Sequence, residues 1–147
     1  MKMQKIRCKA VCVFSHQQSI LLSKDTDPSN GTTFYGPLGG GIEFGETSQD
    51  AIAREIQEEI GAEISDIKLL GVLENLFWYG GAQCHEVVFV YDAKFVDLSF
   101  YEKASIIGQE SNGSEITATW QNLDDFPVKG KLVPEGLFEL LTMQPNH

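Results

Sequence analysis

Residues 40–62 read Gly-Gly-Ile-Glu-Phe-Gly-Glu-Thr-Ser-Gln-Asp-Ala-Ile-Ala-Arg-Glu-Ile-Gln-Glu-Glu-Ile-Gly-Ala. A glycine turn carries one carboxylate, Glu46. A helix follows with Glu55, Glu58 and Glu59, and Arg54 stands beside them. Thr47 is placed as an N-cap, with Asp50 three residues on in the manner of a capping box. Gly61 is the C-terminal stop. Ile52, Ile56 and Ile60 recur every four residues and form a stripe for burial. At about 100° per residue, Glu55, Glu58 and Glu59 share one arc of about 100° beside that stripe. The helix can therefore dock through its isoleucines while its acids line a cleft. Acids this close repel one another unless a cation sits among them, which points to a divalent-metal site.

Around this stretch the chain alternates apolar runs with turn signals. Residues 6–14 and 19–23 are β-rich runs around a polar turn at 15–18, expected as a hairpin or as neighbouring strands. Residues 24–33 are a loop by composition. Residues 64–79 are a long strand candidate, and after a turn at 80–82 residues 84–95 pair back as its partner. Residues 96–113 are less regular, 115–121 are strand-like, and 123–126 fit a helical turn. Pro134 opens a last helix over 134–143. Many strands with one central and one terminal helix predict an α/β domain with a mixed sheet covered by helices.

The chain has 147 residues, the size of one domain, and its formal net charge is −10. That charge argues against a nucleic-acid polymer or an anionic membrane as partner. It leaves open a small phosphate substrate, because bound cations invert the local field. No window approaches a membrane span, and the N-terminus lacks an apolar signal run. Cys8 and Cys12 lie about 13 Å apart along one strand, too far to bridge, and Cys84 is left over. The odd count points to reduced thiols and a cytoplasmic protein.

The spacing Gly40, five residues, Glu46, seven residues, then Arg54-Glu55-Ile56-Gln57-Glu58-Glu59-Ile60-Gly61-Ala62 resembles the Nudix box of the Nudix hydrolases. Every fixed identity is present. The final apolar slot holds the small Ala62, and upstream Pro37-Leu38-Gly39-Gly40 stands where Pro-Gly-Gly is common. The resemblance implies a single Nudix domain over residues 1–147, folded as an α/β/α sandwich. It implies hydrolysis of a pyrophosphate linkage in a nucleoside diphosphate joined to another group, such as a nucleoside triphosphate, ADP-ribose or a dinucleoside polyphosphate. It also implies Mg²⁺ or Mn²⁺.

Hard cations on oxygen ligands would neutralise the diphosphate and activate water. Glu55 and Glu59, one turn apart, can share a metal, and Glu58 is placed to hold a second ion or to bridge through water. The Gly40 carbonyl is a ligand by resemblance alone, and Glu115 is an additional ligand candidate. Arg54 is expected to point away from the acids and pair with Glu46, bracing helix to loop. Glu55 is the first choice of general base, ahead of Glu110, Glu115 and Glu102. Phe34 and Tyr35, next to the box, and Trp78 are the aromatics assigned to substrate. His85 at a strand start reads as structural, and Trp120 is expected beneath the last helix. The strand over 69–78 offers a surface for a homodimer. The rival function is a non-catalytic Nudix domain that binds a nucleotide or protein as sensor or scaffold. The intact glutamates favour the enzyme.

Overall fold

The computed structural model describes residues 4–110 and 112–143. Strand β1 (Ile6–Val13) is buried on both faces over its second half. Ala10 and Cys12 enter one core, and Val11 and Val13 enter another. Burial on both faces is why the run is continuously apolar rather than alternating. A two-residue strand, β2 (Ser15–His16), pairs with β3 (Ser19–Thr26) around Gln17, whose φ is +59°. The expected hairpin is thus confined to residues 15–20, and β1 and β3 belong to different sheets. Strands β4 (Thr33–Gly36) and β5 (Leu38–Gly41) follow, then helix α1 (Ser48–Ile60).

Strand β6 (Ile64–Tyr79) pairs antiparallel with β7 (Ala82–Phe95). The turn between them is Gly80-Gly81, both at positive φ, as a tight two-residue hairpin turn requires. A short 3₁₀ segment, η1 (Leu98–Glu102), leads to β8 (Ser105–Gln109), a strand the sequence did not reveal. Strand β9 (Glu115–Asn122), 3₁₀ segment η2 (Leu123–Asp125), β10 (Lys131–Leu132) and α2 (Leu137–Thr142) complete the chain.

One mixed sheet was expected, and two are found. The first runs β5-β1-β7-β6, with β1 parallel to β7. The second runs β10-β4-β3-β9-β8. One core holds Ala51, Ile52 and Ile56 of α1 against Cys12, Tyr91 and Phe95. The other holds Leu137 of α2 against Val13, Leu22 and Val90. The layers are therefore an α/β/α sandwich. Each fully buried isoleucine of α1 contributes about 1.5–3 kcal/mol.

The capping of α1 follows its sequence. Thr47 Oγ1 accepts from the Asp50 N–H at 3.1 Å. Gly61, at φ +67°, donates its N–H to the Gln57 carbonyl. The last helix does not begin at Pro134. The Asn75 amide holds Glu135 by its N–H at 2.6 Å and its carbonyl at 3.1 Å. With Gly136 at φ +94°, this keeps the chain out of helical geometry until Leu137. Trp120 packs on Tyr101 and His16 in the α1-side core, not beneath α2. Among the described residues no helix is long and apolar enough to cross a membrane.

Candidate functional site

The glycine strand β5 lies beside β1, with Gly39, Gly40 and Gly41 opposite Val11, Ala10 and Lys9. A Cβ on Gly40 would stand 2.4–2.7 Å from the carboxylate atoms of Glu55. Any side chain there would expel that carboxylate. Glu55 thus rests on bare backbone, and this contact joins the glycine turn to the acidic arc of α1.

Arg54 ties the rest together. Its Nε and Nη2 donate to the two oxygens of Glu46 at 2.7 and 2.9 Å, a bidentate pair. Nη2 also reaches the Gly41 carbonyl at 3.0 Å. The expected brace between Arg54 and Glu46 is present. Arg54 does not, however, point away from the acids. Its Nη1 donates to Glu55 Oε1 at 2.9 Å and approaches Glu58 Oε2 at 3.3 Å. A long guanidinium side chain spans both sides of the turn, which a helical-wheel angle alone does not show. The Arg54 bonds, with the Glu43 N–H, hold the Glu46 carboxyl down at about 2. Those same bonds, chiefly to Glu46, raise the pKa of Arg54.

Glu59 differs from its neighbours. It is only 8% exposed, and its Oε1 is buried with no hydrogen-bond partner. Burial pushes its carboxyl up to about 8, helped by the charges of Glu55 and Glu110 and opposed by the Gly39 N–H and Lys9. Strand β8 is pressed onto the end of α1, since a Cβ on Gly108 would meet the Glu59 carbonyl oxygen at 2.1 Å. Glu110 stands two residues beyond Gly108, on that side. Glu115 pairs with Gln109, one residue out of phase, and so lies on the opposite face of the β8–β9 hairpin. The structure therefore separates Glu115 from the acids of α1. Glu102 is exposed at the end of η1, which packs through Phe100 on Phe95.

Among the described residues no three His, Cys, Asp or Glu side chains already converge as a metal site. Arg54 engages Glu55 and Glu58, and Glu59 is buried. The donor set nevertheless fits a hard cation. A buried, unpartnered carboxylate oxygen beside a second carboxylate is relieved by a positive ion, and all the side-chain donors are oxygens.

The aromatics sort differently from expectation. Tyr35 is 8% exposed and meets Phe126 edge-on at 5.2 Å, so it is core and not a cleft wall. Trp78 is 68% exposed and alternates with Tyr79, placing the two on opposite faces of β6. Phe34 meets Tyr79 edge-on at 6.1 Å. Burial raises the Tyr79 hydroxyl, and the charges of Asp25, Asp27 and Glu110 add to it. Tyr79 thus faces Phe34 of the second sheet, while Trp78 points to solvent from the opposite face of β6. His85 is paired with Glu74 at 2.8 Å, a structural role.

Two of these residues escaped the sequence reading. Sequence alone does not separate Tyr79 from Trp78, because strand phase is invisible without the partner strand. Asp27 lies in an Asp-Pro-Ser-Asn-Gly run that signals a turn but not its reach.

Comparison with known proteins agrees with this geometry. The NUDIX domain model matches residues 5–141. The chain is 26% identical over 127 residues to the NAD-capped RNA hydrolase NudC of Pseudomonas syringae pv. syringae, covering 84% of this chain and 38% of that protein. It is 38% identical over 55 residues to the protein of that name from Vibrio vulnificus, covering 37% of this chain and 20% of that one. The chain thus spans well under half the length of these curated relatives. In fold it resembles the MutT NUDIX hydrolase of Burkholderia pseudomallei, with TM-score 0.68, 24% identity, and coverage of 96% of this chain and all of that one. A NUDIX hydrolase from Nitrosomonas europaea aligns with TM-score 0.63 and 17% identity over 94% of this chain and 87% of that one. With a family match across nearly its whole length, laid over the Arg54–Glu55–Glu59 constellation, the chain belongs to the NUDIX domain family.

Proposed function

We propose that this chain cleaves the pyrophosphate linkage of a nucleoside diphosphate joined to another group, by attack of water at phosphorus with a divalent cation. The observation that carries this reading is the buried, unpartnered Oε1 of Glu59 beside a Glu55 carboxylate seated on Gly40. Glu55 and Glu59 would hold the ion, with Glu58 released from Arg54 as a further ligand and the Gly40 carbonyl as a ligand by resemblance. Mg²⁺ or Mn²⁺ bound there would neutralise the diphosphate and sharpen the nucleophilicity of water. Arg54 fixes Glu55 through Oε1, which leaves Oε2 as the oxygen to take a proton from the attacking water. Glu46 holds Arg54 in place and touches no reacting atom. Glu115 enters this scheme only if its hairpin shifts, and Glu110 is the better placed of the two.

The substrate class is a small nucleotide, because a net charge of −10 opposes an anionic polymer. A second reading comes from the relatives named NAD-capped RNA hydrolase: a dinucleotide diphosphate, free or as an RNA cap. The three free thiols support a cytoplasmic location. Strand β6 ends its sheet and exposes Leu69, Val72 and Leu76, the surface at which a homodimer would form. Sedimentation of the wild type and Leu76→Asp tests that assembly.

The deciding experiment is mononucleotide release from a panel of nucleoside triphosphates, nucleotide sugars and NAD, with Mg²⁺, with Mn²⁺ and with chelator. Cleavage that chelator abolishes is expected. Tight binding with no cleavage of any member would instead favour the non-catalytic rival.

A further inference from the structure

The side chain of Asp27 hydrogen-bonds the free end of the β6–β7 hairpin to the β3–β4 turn of the second sheet. Asp27 is 6% exposed, although it lies in the short turn between β3 and β4. Its Oδ1 accepts from the Ser29 N–H at 2.9 Å and the Ser29 hydroxyl at 2.8 Å. The same oxygen accepts from the Gly80 N–H at 3.0 Å, a residue 53 positions away at the hairpin tip. The turn is itself closed, with the Asp27 N–H on the Thr32 carbonyl and the Gly31 N–H on the Asp27 carbonyl. A Cβ on Gly80 would stand 4.0 Å from Pro28 Cγ, so turn and tip are in contact. Beside this tether sits the edge-on pair of Phe34 and Tyr79. Phe34 comes from the second sheet and Tyr79 from the first. Tyr79 is 37% exposed, and it shares Glu110 as a charged neighbour with Glu59 of the acidic site.

We infer that Asp27 is a positioning residue for substrate selection: by holding the Gly80 tip against the β3–β4 turn, it keeps Tyr79 against Phe34 as an aromatic wall that receives the planar base of the nucleotide. This rests on the hydrolase reading for its substrate class. The geometry behind it is independent of that reading. A stacking face is useful only if its two rings keep their relation. The acids Asp25 and Asp27, whose charges act on Tyr79, favour a base that presents N–H donors over a second phosphate.

Four variants test this: Asp27→Ala, Asp27→Asn, Tyr79→Ala and the double variant Asp27→Ala/Tyr79→Ala. Binding of AMP is measured by titration calorimetry, and KM and kcat are measured on the best nucleotide from the panel. Asp27→Ala is expected to weaken AMP binding and raise KM about tenfold while kcat stays within about twofold. Asp27→Asn keeps an acceptor oxygen for the Gly80 N–H and should recover most of the loss. Asp27→Ala combined with Tyr79→Ala should cost little more than either alone, because both act on one wall. Loss of kcat with KM unchanged, or full multiplication of the two effects, overturns the inference. If Asp27→Ala does not fold, Tyr79→Ala carries the test, and unchanged AMP affinity in it overturns the inference equally. A wild type that cleaves nothing but binds AMP more tightly than Asp27→Ala would reject the hydrolase reading and leave this one standing.

Discussion

At the scale of single residues, Glu59 carries the sharpest consequence. Its folded pKa of about 8 lies above the ordinary 4.5, so the metal-free folded state holds this proton more tightly than the unfolded chain does. The contribution is fully present below about 4.5 and is lost as pH rises through about 8. Its size is on the order of a few kcal/mol at most. Metal-free protein should therefore become less stable across that window, as read by thermal unfolding in chelator. Glu59→Gln should flatten the slope and raise stability at pH 8, while lowering turnover by orders of magnitude. A slope that survives the substitution would show that another group is responsible. Glu46 acts with the opposite sign: held at about 2, it stabilises above about 4.5 and loses that effect toward pH 2. Arg54 joins these two regimes. Arg54→Lys keeps the charge but cannot bond Glu46 in bidentate fashion and reach Glu55 as well. Turnover should fall about 10- to 100-fold with the helix intact by circular dichroism. Wild-type rates in that variant would remove the brace from the account.

At the scale of elements, two glycines separate function from stability. Gly40→Ala puts a methyl group into the Glu55 carboxylate, the far end of a flexible side chain that can swing away. Gly108→Ala puts one into the backbone carbonyl of Glu59, which cannot. The first should abolish most activity at nearly unchanged melting temperature. The second should cost about 1–3 kcal/mol or more by forcing β8 off α1. If Gly40→Ala keeps activity, Glu55 does not need its seat on the bare backbone. The contrast also shows what could be read from the chain. Helix α1 was legible because its caps, stripe and acids all act within 15 residues or so, where spacing fixes angle. Arg54 reaching forward to Glu55 and Glu58, and Glu59 sinking from the acidic arc into the core, depend on where β5 and β8 press. Strand phase was less legible still. β6 carries register shifts at residues 65–68 and 69–71, so counting along the chain could not decide whether Trp78 or Tyr79 faces the second sheet. The same limit hid the difference between Glu110 and Glu115, which only the pairing of Gln109 with Glu115 reveals. Pro134 has a signal for a helix start, overridden by the Asn75 amide arriving from 60 residues away.

At the scale of the whole molecule, charge sets what can approach. Asp and Glu outnumber Lys and Arg by 21 to 11, and Glu55, Glu58, Glu59 and Glu110 gather at one end of α1. A cation between Glu55 and Glu59 can invert the field for the diphosphate in contact with it. It does not offset the acids spread over the rest of the surface, whose repulsion of more distant phosphates reaches about 20 Å at 0.02 M salt and about 10 Å at 0.1 M. A small nucleotide therefore meets mainly the inverted field, while a polymer carrying the same linkage drags further phosphates past uncompensated acids. At low salt, about 0.02 M, kcat/KM for the small nucleotide should exceed that for the same linkage at the end of an RNA oligomer by at least about tenfold. The gap should narrow as salt rises and screening weakens the repulsion. The measurement is one of initial rates on the two substrates across a salt series at saturating Mg²⁺. An oligomer cleaved as efficiently at low salt as at high would mean that a cationic path, absent from the charge arrangement described above, guides the chain into the cleft.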